Sequence, residues 1–223
     1  MAVLTVSREY GSRGEEISLQ VAKALGYSYF DKEILADVAK AADMAEATIA
    51  QYDEKDEHGL RSFLKKLFVP PNYAPFFYLS YDHFYMSSET VPPVKEGKPL
   101  DEAEVTVFFR EVIEKLWKRG RVIIVGRGSQ KILAAKTDVL HVRFIGSIGD
   151  RAKFVGYREG VTFAEALEKI ERIDEQRADY LKRHYGASWG NPKLYHLIIN
   201  TSLMSDAQVV STVVAAVRSL EQT

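Results

Sequence analysis

The stretch RVIIVGRGS, Arg121 to Ser129, constrains the fold more than any other part of the chain. Its centre, Val122 to Val125, is apolar without alternation and is closed by Gly126. A strand with one wet face alternates; a strand with no polar face has to be covered on both sides, as in a parallel sheet between helical layers. Shorter or less pure runs repeat the theme: Val3–Val6, YSYF at 27–30, VLHVRFI at 139–145 and LYHLIIN at 194–200. Helical patterns stand between them. Ile17, Val21, Ala24 and Leu25 share one face of a helix over 15–25 that Gly26 stops, and Val105, Phe108, Phe109, Val112, Ile113 and Leu116 share one over 101–119. Thr162 with Glu165, and Ser205 with Gln208, make capping boxes for helices over 163–185 and to the end of the chain. Phe163, Ala166, Leu167, Ile170, Ile173, Tyr180 and Leu181 form the inward stripe of the first of these. The pattern predicts an α/β fold, a doubly wound parallel sheet flanked by helices, with ligands beyond the C-terminal strand ends.

The 223 residues suit a single domain with a core of about 1–44 and 120–223 and a helical insertion over about 45–119. Thirty basic and thirty-one acidic residues leave a net charge of −1, so no global basic field gathers nucleic acid or an anionic membrane. Zero cysteines exclude disulfides and thiolate metal sites. The five histidines have no ligand spacing. Without a leader pattern or an apolar membrane span, the expected location is cytoplasmic. Between Pro70-Pro71 and Pro92-Pro93 lies an aromatic segment, 73–85, with Phe77, Tyr81, Phe84 and Tyr85 on one helical stripe. A core helix, a homo-oligomer interface and a flap over a site all fit this stripe.

Three loops that follow strands combine glycine with arginine: SREYGSRG (7–14), GRGS (126–129) and GSIGDR (146–151). Glycine serves any tight turn, but backbone N–H groups at a helix start beside a guanidinium also hold phosphate oxygens. Three such loops at one sheet edge favour phosphate. Arg177 lies on the inward stripe of the 163–185 helix, either paired with Asp174 three residues before it or facing a bound anion.

Six segments carry a family resemblance: SREYGSRGEEI, YFDKEIL, VIIVGRGSQKIL, HVRFIGSIGDRAK, IDEQRADYLKRHYG and LYHLIINTS. Together they resemble the cytidylate kinase-like family of P-loop proteins. The resemblance implies a nucleoside monophosphate kinase-like architecture with a lid region over about 150–185. It implies ATP on the loop Gly11, Ser12, Arg13, Gly14, Glu15 and Glu16, with Mg²⁺ on Glu16. The acceptor, with CMP or dCMP the first choice, would meet Asp31, Lys32, Arg127, Asp174, Arg177 and Arg183. Arg13, Arg127, Arg151 and Arg177 would stabilise the transferring phosphoryl group. The loop departs from G-x-x-x-x-G-K-[ST]. Gly14 or Glu15 stands near the lysine position, Glu16 near the hydroxyl position, Gly128 follows the central Gly-Arg in place of aspartate, and Asp37 stands where an acceptor arginine is expected. A kinase with arginine in place of lysine, a nucleotide sensor without phosphotransfer and an interaction protein acting through the aromatic segment are the three readings open at this point.

Overall fold

The computed structural model describes residues 2–31 and 102–222. The chain divides into two compact units, one of 1–32 with 109–223 and one of 33–108; of the second, only the start of one helix lies among the described residues. The aromatic segment 73–85, Lys32, Asp37 and most of the proposed insertion lie outside them. In order, the described elements are β1 (Val3–Arg8), α1 (Gly14–Leu25), β2 (Ser28–Phe30), α2 (Glu102–Arg119), β3 (Val122–Val125) and α3 (Ser129–Ile132). They continue with β4 (Val139–Ile145), α4 (Ile148–Glu159), α5 (Phe163–Tyr185), a 3₁₀ turn (Pro192–Leu194), β5 (Leu197–Asn200) and α6 (Asp206–Glu221).

The strands form one five-stranded sheet, order β2-β3-β1-β4-β5, in which every pairing is parallel. The apolar runs sit where the absence of a polar face demands. All six residues of β1 and all four of β3 are buried. Leu4, Val6, Ile123, Val125, Val142 and Phe144 pack with Ile17 and Val21 of α1 and with Val209, Val213 and Val217 of α6. Burial of each such side chain contributes about 1.5–3 kcal/mol. Phe109, Val112, Ile113 and Leu116 of α2 are buried as well. Central β1 is flanked by β3 and β4, so its C-terminal end opens at the point where the strand order runs off to both sides.

Local signals placed most boundaries. The capping boxes at Thr162 and Ser205 are both formed, and Gly26 and Gly186 close α1 and α5 in the left-handed conformation. Two expectations need correction. Phe163, expected inward, is 51% exposed: it is the first residue of α5, before the helix reaches the packed stripe of Ala166 and Ile170. The last strand begins at Leu197 rather than 194, because Pro192 and the Asn191 cap wind the preceding residues into the 3₁₀ turn.

Candidate active site

The loop from Glu9 to Arg13 leaves the C-terminal end of β1 and enters α1 at Gly14. It is shaped by close packing. A Cβ at Gly11, where φ is +79°, would come within 2.8 Å of Val155 Cγ2 and 2.9 Å of the Arg151 carbonyl oxygen. A Cβ at Gly14 would lie 2.7 Å from Arg8 Cβ. Only glycine lets the loop lie against α4 and lets α1 start against β1. The N–H groups of Gly14, Glu15 and Glu16 open α1, where the helix itself has no acceptors for them. Arg13 precedes them at φ 58° and Arg127 stands at φ 53°, two arginines in the left-handed region that residues with a Cβ seldom adopt.

Arginines converge on this opening turn. Buried Arg8, the last residue of β1, binds Glu15 Oε1 through Nε at 3.1 Å and Nη2 at 2.6 Å. Arg177 reaches in from α5, donating to the Arg8 carbonyl at 2.8 Å with its Nη2 3.7 Å from the same Glu15 oxygen. Arg158, from the end of α4, donates to Glu16 Oε1 at 3.2 Å. Burial opposes ionisation of Glu15, but the Arg8 guanidinium and then Arg177 outweigh it and hold the carboxyl below its usual range. Arg177 is pulled down to about 10 by burial and by Arg8, so it stays cationic at neutral pH while carrying the strain of a crowded positive site. The recess enclosed by these groups has room for about one water molecule.

Other predicted residues are engaged elsewhere. Arg13 lines the recess too, but its side chain is held at the β5–α6 loop, with Nε 2.9 Å from Asp206 Oδ1 and Nη2 donating to the Thr201 carbonyl at 2.5 Å. It borders an open groove between α4 and the β5–α6 loop, lined also by Phe154, Tyr157, Leu203 and Met204. Asp174 does not close an ion pair with Arg177. It accepts the Tyr10 N–H at 2.8 Å and pairs with Arg151 Nη1 at 2.5 Å, which fastens α4 and α5 to the loop. Arg151 also donates to the Tyr10 carbonyl at 3.2 Å. Glu9, where a P-loop has its first glycine, accepts the Gly146 N–H at 3.1 Å and lies 3.4 Å from Arg143. The third glycine–arginine loop is therefore a joint between β1 and β4.

Arg127 is different. Its guanidinium lies over the Phe109 ring at 4.5 Å and the Tyr180 ring at 5.8 Å, and its buried Nε has no hydrogen-bond partner among the described residues. A Cβ on Gly128 would meet Tyr185 at 2.3 Å, so glycine here lets that ring close over the strand end. Asp31 follows β2 at the same edge, and Arg183 is exposed in the last turn of α5.

Arg8, Arg158, Tyr10 and Glu159 were not singled out in the sequence. Tyr10 and Lys169 both donate to Glu159, whose third partner is Arg158 at 2.8 Å. Arg8 had a signal, a charge at the end of an otherwise uncharged strand beside the loop. Arg158 had none, since a cation in the last turn of a helix is ordinary.

Comparison with known proteins agrees with this architecture. The family model described as "Cytidylate kinase-like family" matches residues 3–203. The cytidylate kinase of Pyrococcus horikoshii is 37% identical over 137 residues, 61% of this chain and 68% of that protein. The cytidylate kinase of Ignicoccus hospitalis is 27% identical over 114 residues, 51% of this chain and 66% of that protein. A crystal structure of an uncharacterized protein from Eubacterium ventriosum superposes with TM-score 0.67 at 17% identity, covering 98% of this chain and 99% of that one, a likeness of fold.

Proposed function

The chain belongs to the cytidylate kinase-like family, and on that premise we propose that it is an ATP-dependent nucleotide kinase. In this reading the γ-phosphoryl group passes to a nucleoside monophosphate, with CMP or dCMP the first acceptor to try. The observation that carries the reading is the convergence of Arg8, Arg177 and Arg158 on the opening turn of α1, at the C-terminal end of the central strand. Helix N–H groups and guanidinium forks together are suited to a polyphosphate. The relatives named cytidylate kinase support the choice of acceptor.

The roles follow from placement. The N–H groups of Gly14, Glu15 and Glu16 cradle the β- and γ-phosphates, while Gly11 packs the loop against α4 and Ser12 ties it back to the Glu9 carbonyl. Arg177 replaces the absent loop lysine, because it leans onto this turn while Arg13 is held by Asp206 and Thr201. The open groove beside Arg13 takes the donor base against Phe154 and Tyr157. Arg127, with its Nε free of a partner among the described residues, clamps the acceptor phosphate, and Asp31 borders the acceptor's side. Arg183 neighbours that side from α5, and the Arg151–Asp174 pair keeps the loop and α5 in register. An acceptor phosphate oxygen attacks the γ-phosphorus, the bond to the β–γ bridging oxygen breaks, and ADP leaves with the electron pair. The arginines stabilise charge on the transferring oxygens.

Glu16 fits a role beside Mg²⁺. Its Oε2 is buried and has no hydrogen-bond partner among the described residues, and a carboxylate is the hard ligand this cation takes. When bound, Mg²⁺ neutralises phosphate charge.

Arg127→Ala is expected to lower kcat/KM by about 10²–10³, or roughly 2.7–4 kcal/mol of transition-state stabilisation. Steady-state kinetics with the preferred acceptor checks this, and an unchanged kcat/KM removes Arg127 from the site. The alternative, a nucleotide sensor without transfer, predicts ATP binding with no turnover in either protein.

A further inference from the structure

We infer that Glu15 is a resident anion: its carboxylate holds the place of a nucleotide phosphate between Arg8 and Arg177 and leaves it when phosphate binds. The inference deepens the phosphate-loop reading above and rests on it.

Four observations lead to it. Arg8 is only 7% exposed, and Arg177 crowds against it from α5, so two cations share one partly dry site. Such a pair needs an anion. Glu15 supplies it from the first turn of α1, where the helix dipole also favours negative charge. A single oxygen, Oε1, accepts from both Nε and Nη2 of Arg8 and lies nearest to Arg177. One carboxylate oxygen that hydrogen-bonds Arg8 and stays 3.7 Å from Arg177 is a weaker arrangement than a phosphoryl group, whose separate oxygens can each take a fork. The remaining recess holds about one water, so a phosphate enters only where the carboxylate now lies. The Glu15 side chain is 40% exposed and has an outward path to solvent. The exchange makes a chain that lacks the loop lysine selective: a polyphosphate that also gains the helix N–H groups displaces Glu15, and a weakly held small anion does not.

The test titrates inorganic pyrophosphate and Mg·ATP into the full-length protein, Glu15→Gln and Glu15→Asp by calorimetry, with Tm recorded with and without pyrophosphate. Glu15→Gln is expected to bind pyrophosphate about ten-fold tighter than the unaltered protein, equivalent to about 1.4 kcal/mol. Its Tm without ligand falls, because Arg8 and Arg177 lose their counterion, and pyrophosphate restores it. Glu15→Asp keeps the charge on a stem one methylene shorter and shows a smaller tightening in the same direction. A salt bridge of purely structural use lowers Tm with no gain in affinity. If the unaltered protein binds pyrophosphate and the variants bind it no more tightly, the resident-anion inference falls and the kinase reading stands. If Glu15→Gln fails to fold, unchanged affinity in Glu15→Asp overturns it. If neither the unaltered protein nor a variant binds pyrophosphate or Mg·ATP, the loop is no phosphate site and both readings fall.

Discussion

His141 sits in β4 with its Nδ1 2.6 Å from Thr5 Oγ1 and its ring stacked on His196 at 4.9 Å. Burial first, and the neighbouring His196 second, push it down from 6.5 to about 4. Below pH 6.5 the unfolded chain takes up a proton that the folded chain refuses. The contribution of neutral His141 is thus complete above that pH and is lost as pH falls towards 4, at no more than about 1.4 kcal/mol per pH unit. Urea denaturation at pH 7 and pH 5 should show a loss up to about 2 kcal/mol smaller in His141→Gln than in the unaltered protein. Equal losses would mean that carboxylates alone carry the acid sensitivity. Residue roles were the least legible part of the sequence. Asp174 and Arg177 have the spacing of a helical ion pair, yet Asp174 takes Arg151, from a different helix, and the Tyr10 N–H. Spacing rules see neighbours on one helix and cannot see a partner that the fold brings in.

At the scale of elements, α4 and α5 form a hairpin around Ala152, Val155, Ala166 and Ile170, with Tyr10 of the loop packed on it. Two polar clusters tie the hairpin to the loop: Asp174 with Arg151 and the Tyr10 backbone, and Glu159 with Tyr10, Lys169 and Arg158. Burial raises the Glu159 carboxyl and the Lys169, Tyr10 and Arg158 hydrogen bonds more than reverse this, bringing it down to about 2. Asp174→Asn leaves the buried Arg151 with Glu9, 3.6 Å from its Nε, as its remaining carboxylate, and is expected to cost about 2 kcal/mol in urea denaturation. It should also weaken ATP binding, because the loop loses its anchor on α5. A loss below about 0.5 kcal/mol with unchanged ATP affinity would show that the pair holds nothing in place. Element boundaries were largely legible. Thr162 with Glu165 and Ser205 with Gln208 announced α5 and α6, and both boxes are formed. Phe163 misled because a stripe drawn from spacing alone extends to the first helical residue, where no neighbour covers it.

For the molecule, the parallel sheet and its helical layers were legible in Val122–Val125, a run with no polar face. The strand order β2-β3-β1-β4-β5 was not, since pairing between strands far apart in sequence leaves no local pattern. The order matters because it sets β1 at the centre and brings its loop, the Arg127 turn and the α4–α5 hairpin to one edge. Arg13, the loop's own arginine, was legible in the sequence; only the fold brings Arg8, Arg177 and Arg158 together on the opening turn of α1. Among the described residues no helix is long and apolar enough to cross a membrane. In the proposed function this edge transfers phosphoryl groups without a loop lysine. The measurement that tests it most directly is ADP release from Mg·ATP against a panel of nucleoside monophosphates that includes CMP and dCMP. Turnover is expected with one of them and is lost in Arg127→Ala; ATP binding with no turnover for any acceptor would contradict phosphoryl transfer here and leave a nucleotide sensor on a kinase fold.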